Sequence, residues 1–550
     1  MPPATMSPKV EIIVTKTERV FPQSPAQYEQ AIPLSLLDAT TANFALTNAI
    51  WLFEPRKGKD VPDVAEHLRQ TLSTALSSYP QWAGQLKSIT VVDDASVPAE
   101  AKGFPAHARR FGRVYTHFGA SADVGVEFIS ASSSVTTDSL YPTGRVETQP
   151  LWNRKDDPLG KFVPPTDIAQ ALQPNEPIAM TGLRKPITAV QCTTFSDDGF
   201  VLAVKTAHPL ADIAGLIRFV KDWASVSRAV VKGLEAPVPA PVFEPARLDN
   251  LAAGNINAEE PDPAIIRRTE RLPLHRYDWW AAPGKPPTPF LDAARPVSPA
   301  GKPMPWAEWD LKAPVSDYTI HLNTKQVDFL WKEATKGTEG DGPRISKHDA
   351  VLAHVWSCII RARQLGKDDG HVHCDLVLGV RSAFKLSADF MGSPIIMMNV
   401  ELPGSEVCYQ QPGNATEAIG AIAGKVRATI SKISSPVNLA DHLHSATYEK
   451  SPQRIWQAFL GRRHILVTTW ARAGLYDVGF GLGSSIRYAD GVVPNLDGNI
   501  LIKEAPPSSG EFLSGSRPSW TDSGVDVSVH ICTEDMDRLL EDSLLLPRVD

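Results

Sequence analysis

Apolar positions recur along this chain with two periods, and the periods alternate. Val64, Leu68, Leu72, Ala75 and Leu76 fall three or four apart, which predicts an amphipathic helix over 61–78 that Pro80 stops. Leu216, Val220 and Trp223 predict a second helix over 211–228. Short apolar runs predict strands at 10–14, 125–129, 187–194 and 200–206, while the polar, turn-rich stretch 133–180 reads as surface loop. The second half repeats the alternation. A helix over 350–363 stands behind Ser346-Lys347-His348-Asp349, whose hydroxyl and carboxylate three apart resemble a capping box. A strand at 373–380 ends at Arg381, and then come a helix at 416–433, a strand at 465–470, a glycine-rich turn at 475–483, a strand at 525–531 and a helix at 534–545. The pattern predicts a mixed α/β chain with no internal repeat.

Proline divides the two halves. Residues 231–310 hold 15 of the 47 prolines, in runs such as Pro237-Val238-Pro239-Ala240-Pro241, and proline fixes φ while removing a backbone donor. The stretch therefore reads as a crossover without helix or central strand, linking an N-terminal domain (1–230) to a C-terminal domain (311–550). Trp279, Trp280, Trp306 and Trp309 suggest that it packs against a surface. With 550 residues the chain is too long for one ordinary core, which agrees with two domains.

Composition narrows the function classes. Hydrophobic residues make up 43% and charged residues 21%, the balance of a globular protein. The formal charge is −7 with no basic run, so neither nucleic acid nor a membrane surface is expected as a partner. The first fifteen residues lack a signal-peptide pattern, and no apolar stretch is long enough to span a bilayer. Five cysteines without a CxxC pair point to a reducing compartment, hence a cytoplasmic location, and leave the Asn414-Ala415-Thr416 sequon idle.

Candidate chemistry centres on His208-Pro209-Leu210-Ala211-Asp212, at the end of the predicted strand 200–206. A histidine held by a turn at a strand terminus can act as general base on a hydroxyl or amine. The same residues also fit a plainer role, with His208 capping a strand and Asp212 opening a helix. Two histidine pairs, His371/His373 and His442/His444, have a spacing that could hold zinc, but chance pairs are common among 14 histidines and no metal is expected. The glycines around Gly479 and Gly481 lack the following helix and Lys-Ser/Thr of a phosphate loop, so they read as a turn.

These pieces, taken in order, resemble the BAHD acyltransferases, the CoA-dependent O- and N-acyltransferases of plant and fungal specialised metabolism. His208 to Asp212 matches the HxxxD motif, and Tyr476-Asp477-Val478-Gly479-Phe480-Gly481 matches the DFGWG motif. Leu34 to Asp38, Tyr79-Pro80 with Ala83-Gly84, Pro186 to Phe195, Ser346 to Arg363, Arg381 and Thr468-Thr469-Trp470 extend the match over nearly the whole chain. Ile213 in place of glycine, Asp-Val-Gly-Phe-Gly at 477–481 and Met391-Gly392-Ser393 in place of Tyr-Phe-Gly-Asn are closer to fungal members such as trichothecene acetyltransferases.

The resemblance implies two chloramphenicol-acetyltransferase-like domains with a tunnel at their interface. It implies His208 as general base, Asp212 as a brace turned to an arginine, and Thr468 and Trp470 beside the developing oxyanion. Asp477, Gly479 and Gly481 would be structural, with Asp477 paired to Arg381, while Arg344, Ser346 and Lys347 would meet the CoA phosphates. The implied enzyme is a monomer without a permanent cofactor, using acyl-CoA as co-substrate and a small alcohol, or alternatively an amine, as acceptor. Two rival readings are a carrier-protein-dependent condensation enzyme and a catalytically silent relative. Condensation domains carry a second histidine where this chain has Ala207.

Overall fold

The computed structural model describes residues 10–42, 45–57, 62–91, 93–141, 152–153, 159–169, 171, 184–281, 301–336, 344–408, 415–507 and 519–549. Two mixed sheets organise the molecule. The first has the order Ile13–Val20, Val126–Ser133, Thr188–Phe195, Phe200–Thr206, Thr47–Phe53, Ile486–Gly491. The second runs Ile395–Pro403, His371–Gly379, His464–Thr469, Asn499–Glu504, Val525–Cys532, Val315–Leu322, Trp152–Asn153.

Strand signals were strongest where both faces are buried. Thr188–Phe195 and Phe200–Thr206 lie inside the first sheet, so their sequences are nearly continuous apolar runs. The edge strand behaves differently. It spans Ile13–Val20, displaced from the expected 10–14, and its polar centre Lys16-Thr17-Glu18-Arg19 carries no hydrophobic signal because only Val126–Ser133 pairs with it. The helix Val64–Leu76 starts where Asp63 accepts from the Glu66 amide at 2.8 Å. It packs with Ile213–Val231 on the first sheet, where the Trp82 and Phe219 rings stack at 4.1 Å. The second core lies between its sheet and the helices Thr324–Thr335, Lys347–Ala362 and Ala415–Ile433.

Several expectations are corrected. The proline-rich crossover contains two short helices, Pro245–Asp249 and Pro263–Thr269. Both begin on a proline, the one helical position where a missing amide costs nothing. Within 133–180 the described residues include a helical turn, Thr137–Leu140, and the buried Leu159 and Phe162. They also include Trp152–Asn153, which pairs with Val315–Leu322 in the second sheet. The last helix is Thr533–Glu541, ending four residues early at Asp542.

Ile486–Gly491, unrecognised in the sequence, adds to the first sheet although it lies within 311–550. The segment before it sends Leu475, Val478, Phe480 and Leu482 into the first core. Sheet membership thus does not follow the boundaries 1–230 and 311–550. Asn414 of the sequon lies outside the described residues. No helix among the described residues is long and apolar enough to cross a membrane.

Candidate active site

A cavity of about 820 Å³ opens where the two sheets meet. Thr47 and Asn48 line it from the first sheet, and Val377, Met397, Leu466 and Thr468 from the second. Trp279, Trp280, Trp309 and Trp456 form an aromatic wall, so three of the four tryptophans of the crossover face this space.

His208 lines the cavity at the start of a 3₁₀ turn, His208–Leu210, which follows the strand Phe200–Thr206. Its Nδ1 is 2.8 Å from the Ser393 hydroxyl, and Nε2 has no hydrogen-bond partner among the described residues. Burial pushes the imidazole below its ordinary value, and the Asp212 carboxylate and the residue's own backbone carbonyl oppose this only in part. The ring is therefore neutral near pH 7.

Ser393 is held in turn. Its amide donates to Asp38 Oδ1 at 2.5 Å, and Asp38 Oδ2 accepts from the Ser35 amide and hydroxyl at 2.9 and 2.7 Å. The Leu34 to Asp38 motif thus fixes the loop that orients His208. Burial pushes the Asp38 carboxyl up to about 7, against these three donors, which favour its charged form. Gly392 has φ +108°, and a Cβ there would stand 2.8 Å from Asp38 Oδ1, so only glycine fits.

Asp212 is the N-cap of the helix Ile213–Val231 and accepts from the Gly215 amide at 2.9 Å. It also takes two bonds from Arg381, at 2.5 and 2.9 Å. Arg381 donates further to the Phe390 and Gly392 carbonyls, at 2.9 and 3.1 Å. The expected Arg381–Asp477 pair is corrected accordingly. Asp477 bonds Lys221 at 3.1 Å, and Lys221 sits two and a half turns, about 13 Å, along the helix from Asp212, so one guanidinium cannot serve both carboxylates.

The glycine-rich segment is a clasp over that helix: Arg228 donates to the Gly479 carbonyl and Ser227 to the Phe480 carbonyl. Gly481 takes φ +77° against Arg228. Since the Asp477–Lys221 pair is partly exposed and does not line the cavity, Asp477→Asn is expected to cost less than about 1 kcal/mol. Urea unfolding would read that change, with initial rates unaltered.

Thr468 and Trp470 both line the cavity. The Trp470 ring occupies the place of a side chain at 491, where a Cβ would come within 2.4 Å of it. Thr469 also lines the cavity, and its shielded hydroxyl has no hydrogen-bond partner among the described residues.

The three phosphate candidates lie elsewhere. Arg344 is exposed, just before the helix Lys347–Ala362. The Ser346 hydroxyl is used by the capping box with Asp349 and by Arg427. Lys347 pairs with Asp328 at 2.7 Å. Neither histidine pair joins the other: His442 contacts Gln457 and His444 the Ala253 carbonyl, while His373 lies beside His275 and His464.

The sequence does not single out Ser393 or Thr469 as individual residues, nor Asp212 as the partner of Arg381. The unusual Met391-Gly392-Ser393 was the available signal for the first. A hydroxyl without a partner is visible only in three dimensions.

Comparison with known proteins places the fold. A family model described as the Transferase family matches residues 9–101 and 156–544. An acyltransferase of Alternaria alternata, AFT15-1, is 23% identical over 560 residues, covering 98% of this chain and 97% of its own. Among solved structures, F. graminearum TRI101 complexed with coenzyme A and deoxynivalenol superposes with TM-score 0.60 at 16% identity, covering 94% of this chain and 98% of that one. Vinorine synthase gives TM-score 0.57 at 16% identity, covering 96% of both. The overall fold is theirs, a mixed α/β fold of two chloramphenicol-acetyltransferase-like domains.

Proposed function

This chain belongs to the Transferase family, the BAHD acyltransferases, and is an enzyme of CoA-dependent acyl transfer to small metabolites; from that premise we propose that it O-acylates a neutral specialised metabolite with His208 as general base. The observation that carries the reading is His208 on the cavity wall, neutral, tethered through Nδ1 and unpartnered at Nε2.

The chemistry follows from that geometry. The acceptor hydroxyl gives its proton to Nε2 as its oxygen attacks the thioester carbonyl carbon. The tetrahedral oxyanion collapses, the C–S bond breaks, and the imidazolium returns the proton to the CoA thiolate. Thr468 on the lining is the donor proposed for the oxyanion, where a well-aimed donor contributes about 3 kcal/mol. Asp212 touches no substrate in this scheme; with Arg381 it holds the turn and the loop that aim the imidazole.

Acceptor class is proposed from the lining. The only charged side chains on it, Asp212 and Arg381, are paired with each other, so a cationic amine finds no counter-charge among the described residues. A neutral alcohol with an apolar body suits the tryptophan wall. Ile213 on the lining takes space that glycine would leave open, which narrows this side. Exposed Arg344 is the proposed contact for a CoA phosphate, since Ser346 and Lys347 are already engaged. A monomer in the cytoplasm is part of the same proposal, and five free cysteines support a reducing compartment.

The pH profile tests the base. Neutral imidazole is the active form, so kcat/KM falls as pH drops through the His208 pKa, and burial sets that limb below the ordinary histidine value. Initial rates with acetyl-CoA should hold from pH 8 down past about 6.5 before falling. An acidic limb with its midpoint well above that value would count against His208 as the base.

A further inference from the structure

Outside the cavity, three imidazoles cluster, and two of them face one buried carboxylate. His275, His373 and His464 each present a ligand atom within 4.8 Å of the others. Asp375, fully buried, lies 3.1 Å from His275 Nε2 and 3.4 Å from His464 Nδ1. The fold brings them together from three places. His373 and His464 are register partners on parallel strands, and Asp375 is two residues after His373 on the same sheet face. His275 arrives from the crossover, just before Tyr277–Asp278. We propose that His275, His373, His464 and Asp375 form a binding site for a divalent transition-metal ion of the zinc class, a site separate from the chemistry at His208.

The donor set fits that ion. Imidazole nitrogen with carboxylate oxygen in a four-ligand shell suits zinc, and a buried negative charge gains a cation in place of a costly desolvated state. Two donor atoms lack satisfaction: His275 Nε2 and Asp375 Oδ1 are shielded from solvent and approach each other without the alignment of a hydrogen bond. His373 Nδ1 meets Asn399 Oδ1 at 3.1 Å, the outer partner that fixes a ligating tautomer and leaves Nε2 for the metal. Zinc–nitrogen bonds of about 2.0–2.1 Å imply donors about 3.4 Å apart, so side-chain rotation must close the cluster slightly.

The consequence is a clasp between the crossover and the second sheet. Phe459, on the cavity lining, packs 5.5 Å from the His464 ring and 5.6 Å from Trp309. An ion here would pin His275 behind the aromatic wall without touching substrate.

The experiment is a titration of untagged, chelator-stripped protein with Co²⁺, read by visible absorption. One equivalent per chain should give the intense bands of a tetrahedral site, and Zn²⁺ should displace them. His373→Gln and His275→Gln should each weaken binding by about 100-fold or more, with unchanged circular dichroism, while His442→Gln should bind as wild type. His275 lies on the crossover, outside the sheet, so its variant keeps the test meaningful if His373→Gln folds poorly. Folded wild-type protein that stays colourless with excess Co²⁺ would overturn the proposal. So would His275→Gln binding with unchanged affinity.

Discussion

His208→Ala is expected to lower kcat/KM for acyl transfer by about 10²–10⁴-fold while the protein keeps its cooperative unfolding. The size follows from what the ring does. In the proposed mechanism it takes a proton from a weakly acidic alcohol, and no other side chain on the lining among the described residues is placed to do so, because Asp212 is held by Arg381 through both oxygens. The fold should tolerate the change, since among the described residues His208 contributes a single side-chain hydrogen bond, to Ser393, and its turn is closed by backbone bonds such as Ala211 N–H to its carbonyl. Thiol released from acetyl-CoA with a panel of neutral alcohols reads the activity, and urea unfolding reads the fold. Equal rates for wild type and variant would remove His208 from the chemistry.

Arg381→Ala is expected to be the most destabilising single change at the site. It leaves the Asp212 carboxylate, 5% exposed, without its counter-ion, a loss of about 3–5 kcal/mol for a buried pair. It also takes the guanidinium donors from the Phe390 and Gly392 carbonyls, loosening the loop that carries Ser393. Asp212→Asn should be milder: an amide oxygen still caps the helix through Gly215, and Arg381 keeps both carbonyls. Both variants should lower kcat more than they raise KM for acyl-CoA, because they disturb the aim of the imidazole. Urea midpoints in the order wild type, Asp212→Asn, Arg381→Ala would agree with this account. If Arg381→Ala were as stable as wild type, the pair would not be the brace assigned to it.

The parts legible in the sequence were those whose signal is local. The central strand Phe200–Thr206 announces itself by a continuous apolar run because both its faces are buried. Ser346 and Asp349 were recognisable as a capping box because its members lie three apart. The Asp212 partner was not legible, since Arg381 comes from a strand end 169 residues away. Ile486–Gly491 was missed for a related reason: its arginine, aspartate and glycine suit an edge position, and only its partner Thr47–Phe53 makes it a strand. In the crossover, proline density predicts broken chain, whereas Pro245 and Pro263 each open a helix at the position where proline is welcome.

The tightest test of direct transfer is rapid mixing of the wild-type enzyme with acetyl-CoA, with and without an alcohol acceptor, while following free thiol. Direct attack assisted by His208 predicts no burst without acceptor, and steady thiol release as soon as an acceptor is present. A burst of one thiol per enzyme in the absence of acceptor would mean that the acyl group rests on the protein first, and would contradict the account.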